Sequence, residues 1–402
     1  MFARYAISRR KETQDIASLQ RNNLCVAPSK SKPAAMNWKF FTRKPKDPSK
    51  PKKSKTREWV DAIVFAVVAS TIIRGLLFSA YAIPSGSMEG TLLTGDYLFV
   101  SKISYGPRLA ITPFSIPFLE PTVGNVKTYW DGITLPYFRL PGLTQVKKGD
   151  IVVFNKPEEA DPSYNKPIDE RTCLIKRCQA TPGDELMIVN GQVYINGKAA
   201  ANAPKAQTSY RVVTNGVDVN PQVFQDMNIE IIGQTGATTF EMIIPKDELA
   251  TFKTFSNIKS ITPVVQPVGK YDPSVFPHNE KFKWNQDNFG PLVLPKRGWT
   301  IPLNDSTMIL YRRAIELYEN NKVEVKGTDI FINGKKAGSY TFKMNYYWMM
   351  GDNRHNSLDC RFWGYVPEDH IVGKAMITWF STDSTKSFLS RIRWNRIFKP
   401  ID

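Results

Sequence analysis

The sequence predicts a mainly β, barrel-like ectodomain behind one N-terminal transmembrane helix, and three features of its 402 residues point there. Short runs rich in β-branched and aromatic residues, such as DYLFVSK, GDIVVFN, TCLIKRC and GQVYINGK, recur between Gly, Pro, Asn and Asp, the punctuation of strands and turns. Helical periodicity is scarce, and TMILYRRAIELYENN, Thr307 to Asn321, is its best instance. A single strongly apolar run, Trp59 to Phe78, follows a basic segment. With 42% hydrophobic and 23% charged residues, the chain has a globular composition and the length for two or three domains.

From the N-terminus, residues 1–58 read as a basic cytoplasmic tail, largely disordered. Met1 to Arg57 hold 16 Lys and Arg against 3 Asp and Glu, so +13 of the formal +17 sits there. The charge belongs to a tail and not to a folded groove, so no nucleic-acid partner is expected. Met36 opens MNWKFFTRKPKDPSKPKK, by itself a short cytoplasmic tail, and is expected to be the natural start. Residues 59–80 are expected to form the helix, whose length matches a ~30 Å hydrocarbon core. Arg74 lies about 22 Å along it from Trp59 and reaches the far headgroups by snorkelling. The basic flank stays cytoplasmic, which places everything after Tyr81 outside. A competing reading takes Ala62 to Ile73 as the core of a cleaved leader, with Ala80-Tyr81-Ala82 as its cut site. The long basic region and Pro84, two residues past that cut, favour a retained anchor.

Beyond the anchor, VNGQVYINGKAA (Val189 to Ala200) is echoed by VKGTDIFINGKKAG (Val325 to Gly338), each with an Asn-Gly turn. The echo is either the chance recurrence of a turn or a structural repeat. On the second reading, 81–200 and 325–402 are two parts of one β core, the latter ending in a basic tail, and 201–324 is an inserted domain. Arg108 to Val146 reads as a loop. In the tail SRIRWNRIFK, Arg396 is expected to be solvated or to touch anionic lipid.

Four cysteines without C-x-x-C spacing and three histidines make a metal site improbable, and no cofactor is expected. Cys178 and Cys360 are open to pairing. Just past the membrane run stands Ser85-Gly86-Ser87-Met88, and a serine needs a base to become a nucleophile. His355 is the only histidine in a polar setting, but Ser87 is in no G-x-S-x-G elbow. Lysine is the alternative, provided desolvation lowers its pKa. On a strand, Lys176 would share a face with Leu174 and Cys178, which suits that demand. Lys102, at a strand end, is a weaker rival. A third string, MGDNRHNSLDCRFWGYVP (Met350 to Pro367), packs polar residues into a short run that suits either a bonded loop or support for a base.

Together PSGSM…TLLTGDYLFVSK, KKGDIVVF, LIKR…TPGD and GDNRHNSLDCRFWGYVP, behind a membrane anchor, resemble the bacterial type I signal peptidases. The resemblance covers parts of Tyr81 to Ala200, and Tyr346 to Phe380 closely. It implies a serine endopeptidase with a Ser/Lys dyad on a barrel-like catalytic core, which accounts for the missing histidine. Ser87 matches the nucleophile and Lys176 the general base. The Ser85 hydroxyl and the Ser87 N–H match the oxyanion donors, and Ser357 the serine that orients the lysine. Asp359 and Arg361 match a supporting ion pair. Ile83, Pro84, Met88, Leu92 and Ile175 fall where the family lines pockets for small side chains, in keeping with cleavage after Ala-x-Ala. Three residues depart from the family's pattern: Gly90 for a proline, Cys360 for a serine and Leu174 for an aromatic.

The resemblance implies a single-pass protein of the cytoplasmic membrane, catalytic domain outside, acting as a monomer on exported preproteins beside the phospholipid surface. Two other classes compete. A non-catalytic anchored binding module would normally have lost Ser87 or Lys176, and both remain. A self-cleaving Ser/Lys repressor needs a DNA-binding domain, for which the chain offers no basic fold.

Overall fold

A computed structural model describes residues 54–401 apart from 117, 118, 120, 125, 218, 388 and 389. The basic tail through Lys53, with Met36, lies outside the described residues. Helix α1 (Lys55–Ile72) begins beside Ser54, whose hydroxyl accepts from the Arg57 N–H, and closes in a wider π turn, Ile73–Leu77. Together these 23 residues have the length and apolarity of a membrane span, and their most apolar stretch is not buried in protein. The helical stretch ends at Leu77. Phe78 to Ala80, expected as its last residues, are the first part of a strand.

Six of the main sheet's eight strands are longer than two residues: β1 (Phe78–Ala82), β2 (Asp96–Ser101), β3 (Ile151–Asn155), β4 (Cys173–Ala180), β5 (Tyr346–Met350) and β6 (Ile371–Ser381). They run in the order β1-β2-β6-β3-β4-β5, antiparallel throughout, and curl into a half-barrel. Alternation decides the faces. Leu98 and Val100 on β2 are fully buried, whereas Tyr97 and Phe99, which alternate with them, are exposed. Tyr81 and Ala82 pair with Leu98 and Tyr97, so Ala80-Tyr81-Ala82 is part of the main sheet and not a free linker. A cut there would strip an edge strand from the fold.

The echoed segments are two copies of one three-strand meander. Strands Glu185–Val189, Gln192–Ile195 and Lys198–Ala199 match Val323–Lys326, Asp329–Ile332 and Lys335–Lys336. Asn196-Gly197 and Asn333-Gly334 have nearly the same positive φ, 51° and 75° against 52° and 78°, as a tight hairpin turn requires. Each turn asparagine accepts on Oδ1 from the N–H opening the first strand, Glu185 in one copy and Lys322 in the other, both at 2.8 Å. Matching side-chain bonds at matching positions make the echo a structural repeat.

Residues 201–324 do not share one core. Gln207–Thr214, Glu230–Gly236, Thr239–Pro245 and Ile258–Pro263 form a separate four-stranded sheet around Val212, Met242, Ile244 and Phe252. Beyond it, Phe289–Val293 pairs with Glu185–Val189, and Phe276, Leu294 and Ile301 join the central core with Phe154 and Trp348. The one clear helical pattern forms Asp305–Arg313, extended by a π turn through Tyr318. Its start is fixed by a capping box between Asn304 and Thr307.

Candidate active site

Leaving β1, the chain makes a 3-10 turn, Gly86–Met88, that seats Met88 at the bottom of a small apolar cluster. Ile83, Met88 and Leu92 are buried there with Leu98, Ile151 and Ala375, and Ile175 packs against them. Four of the five expected pocket residues therefore share one cluster; Pro84 is exposed. Burying Met88 turns the next-door Ser87 side chain the other way, toward β4.

On β4, Leu174, Lys176 and Cys178 share a face, and Leu174 and Cys178 pack on the central core. Lys176 is only 4% exposed, and its Nζ lies 2.7 Å from Ser87 Oγ. The two residues stand 89 positions apart in the chain. Burial pushes the Lys176 pKa below the ordinary lysine value; Asp359, the strongest opposing charge, pulls the other way without cancelling it. Lys102 also has a depressed pKa, about 8, from burial and then from Arg108 and Arg74. Its Nζ donates to the Gly75 carbonyl at 3.3 Å and reaches no serine hydroxyl among the described residues. A lowered pKa is common to both lysines, and only contact separates them.

The loop after β5 carries the supporting residues. Asp359 is fully buried and takes a two-pronged bond from Arg361, Nε to Oδ1 at 2.9 Å and Nη2 to Oδ2 at 2.8 Å. Burial alone would raise the Asp359 pKa, but the Arg361 charge outweighs it, with further bonds from Arg361, the Gly351 N–H and Ser357, and holds the carboxyl below its usual range. Ser357 Oγ donates to Asp359 Oδ2 at 2.9 Å, which commits its proton to the carboxylate and leaves the oxygen lone pairs to accept from an amine. The Ser357 Oγ crowds Gly351, as does the Ser87 carbonyl: a Cβ on Gly351 would lie 2.2 Å and 2.5 Å from them.

Residues that sequence reasoning passed over tie this loop to the turn that carries Ser87. Thr91 Oγ1 donates to Asp352 Oδ2 at 2.6 Å, and Arg177, next to the candidate base, grips the same carboxylate through Nε and Nη2. Arg396 is neither solvated nor free to meet lipid. It is buried, with Nε on Asp96 Oδ1 at 2.9 Å and Nη2 on the Thr91 carbonyl at 3.0 Å. A guanidinium fork against a buried carboxylate outcompetes water at this position.

Two departures from the family pattern have local explanations. Gly90 has φ +89° and its missing Cβ would fall 2.3 Å from the Lys205 carbonyl, a conformation closed to proline. The Cys360 thiol accepts from the Met349 N–H at 3.1 Å, so the place of a serine hydroxyl is not left unbonded. Cys178 and Cys360 are free thiols. His355 serves the frame: Nδ1 accepts from the Ser209 N–H at 3.0 Å, and Nε2 donates to Asp287 at 2.9 Å. No histidine contacts a serine hydroxyl among the described residues, which removes the Ser-His arrangement.

A buried lysine against a serine on a half-barrel sheet defines a class of serine endopeptidase, and comparison with known proteins agrees. Residues 56–254 and 316–380 match the family described as signal peptidase, peptidase S26, and the chain belongs to it. Among its relatives is "Signal peptidase I" of Buchnera aphidicola from Acyrthosiphon pisum, 26% identical over 335 residues, covering 82% of this chain and 77% of the relative. The protein of that name from Rickettsia massiliae is 24% identical over 364 residues, 86% of this chain and 93% of the relative. That from Haemophilus influenzae is 23% identical over 356 residues, 87% and 76%. The chain is thus a serine endopeptidase of the signal peptidase I kind, with one helix fit to anchor it in a membrane.

Proposed function

We propose that this protein removes signal peptides from exported preproteins by acyl transfer through Ser87, with Lys176 as general base, cutting after Ala-x-Ala-type sites. The observation that carries this reading is the 2.7 Å contact between Ser87 Oγ and a lysine that is 4% exposed. The neutral Lys176 amine takes the Ser87 proton as Oγ attacks the scissile carbonyl. The oxyanion forms against the Ser85 hydroxyl and the Ser87 N–H. Lys176 then passes its proton to the leaving amine as the C–N bond breaks, leaving an ester on Ser87. Water, deprotonated by Lys176, cleaves that ester and restores both residues. The apolar cluster of Ile83, Met88 and Leu92, with Ile175 against it, bounds the room for P1 and P3 side chains and favours alanine.

In this reading α1 spans the cytoplasmic membrane with the N-terminus inside and the β domain outside, and a single copy works without a cofactor. Preprotein with an Ala-x-Ala site, mixed with detergent-solubilised enzyme and followed by mass spectrometry, tests it. Cleavage after the second alanine by wild type and none by Ser87→Ala is the expected outcome. Equal cleavage by both would remove the nucleophile from the account, and no cleavage by folded wild type would leave a non-catalytic binding module. Ser357→Ala is expected to cost less, about tenfold in kcat/KM, because the residue packs beside the dyad without supplying the base. A loss as complete as that of Ser87→Ala would contradict that rank.

A further inference from the structure

The oxyanion donor on Ser87 is a backbone N–H, and nothing in the Ser87 side chain determines where it points. Its direction is that of the Gly86–Ser87 peptide plane. A trans peptide holds the C=O and the following N–H on opposite sides, so whatever fixes the Gly86 carbonyl fixes the Ser87 N–H. Two donors do this, the Glu89 N–H at 2.9 Å within the 3-10 turn and the side chain of Asn353. Asn353 Nδ2 donates to the Gly86 carbonyl at 3.2 Å, and the Asn353 N–H donates to the Ser87 carbonyl, also at 3.2 Å. Both peptide planes flanking the nucleophile are held from one position.

Asn353 is itself held. It is 1% exposed, and its Oδ1 is buried without a partner among the described residues. The neighbouring Asp352 carbonyl accepts from the Gln207 N–H at 2.9 Å, and the Gln207 carbonyl accepts from the Arg354 N–H at 2.9 Å. The strand of the separate four-stranded sheet thus clasps the loop on both sides of Asn353. The amide nitrogen alone does bonded work in this side chain, and its bond ends on the peptide that aims the oxyanion donor.

We propose that Asn353 is a positioning residue that orients the Ser87 N–H for the oxyanion, so that its side-chain amide acts on the transition state and not on substrate binding. The inference rests on the acyl-transfer reading above. With the Nδ2 bond gone, the Gly86 carbonyl keeps the Glu89 N–H as its one donor among the described residues, so the Gly86–Ser87 plane loosens and the oxyanion donor loses its exact aim, while the Ser87–Lys176 contact remains.

The test uses the full chain in detergent with Asn353→Leu, which keeps the branching and the backbone N–H, replaces the amide by bulkier methyls, and is checked for folding by thermal unfolding. Asn353→Asp is the second variant; it keeps the shape and loses the donor. The expected result is a kcat reduced about 30-fold or more, with KM within about twofold. A peptide aldehyde ending in Ala-x-alaninal supplies the second readout. Ser87 Oγ adds to its carbonyl carbon, the hydroxyl proton ends on the new oxygen, and a tetrahedral adduct forms without a leaving group. Its affinity should fall in step with kcat, whereas the affinity of the cleaved Ala-x-Ala product peptide should hold. Activity kept within about threefold in either folded variant would overturn the proposal. So would equal weakening of aldehyde and product binding, which would mark a general loosening of the site. Failure of the acyl-transfer reading is scored separately, on wild type against Ser87→Ala.

Discussion

Lys176→Met is expected to abolish cleavage while the protein stays folded. Methionine fills nearly the same buried volume and carries no charge, so the core around Leu174 and Cys178 keeps its packing. What is lost is the one group among the described residues within hydrogen-bond distance of Ser87 Oγ that can take its proton. General-base assistance is worth roughly 10²–10⁴ in rate, and the unassisted hydroxyl is a poor nucleophile, so a fall of about a thousandfold or more should be measured. The wild-type pH profile carries the same information. The base must be neutral, so kcat/KM should rise with pH until the Lys176 ammonium has lost its proton. Burial lowers that pKa from the ordinary 10.5, so the rise should be complete at a lower pH than a solvated lysine would allow. A pH-independent rate, or a Lys176→Met enzyme of near-normal activity, would assign the base elsewhere.

Gly351→Ala should be nearly as damaging by a different route. The added methyl would sit 2.5 Å from the Ser87 carbonyl and 2.2 Å from Ser357 Oγ. Both neighbours are held: the carbonyl accepts from the Asn353 N–H, and Ser357 is bonded to the buried Asp359. The strain therefore cannot be relieved by a long side chain swinging away. Overpacking of this kind costs about 1–3 kcal/mol of stability. The loss of activity should be larger than that, because the displaced group is the backbone of the proposed nucleophile. Thermal unfolding and kcat measured on one preparation check the pair. A variant with normal kcat would show that the Ser87 turn tolerates movement.

The sequence carried some of these features openly and hid others for physical reasons. A membrane-length apolar run, strand alternation and Asn-Gly turns are local, so α1, the β class and the repeated meander could be read from neighbours in the chain. Ser87 and Lys176 were recognisable through the strings around them, although 89 positions separate the two. Partnerships between distant charged residues leave no such trace. Nothing near Arg396 announces Asp96, 300 positions away, and a basic tail looks the same whether it meets water or a buried carboxylate. Thr91, Arg177 and Asp352 form one cluster from three parts of the chain for the same reason. Gly90 stood out only as a departure from the family pattern and Gly351 only as one letter of a polar string, and the close backbone approaches give them their specific roles. His355 was read as a polar residue of open purpose, and its partners Ser209 and Asp287 lie on segments whose placement no local pattern foretold.

The measurement closest to the central claim is the mass of the enzyme caught during turnover. A short peptide with an Ala-x-Ala site is mixed with the solubilised protein, quenched in acid within milliseconds to seconds, and the digest is mapped. The account predicts an adduct equal to the acyl half of the substrate, carried on the fragment containing Ser87 and absent from Ser87→Ala. Cleavage that proceeds with no adduct in the quenched samples, or with an adduct on another residue while Ser87→Ala still turns over, would contradict it.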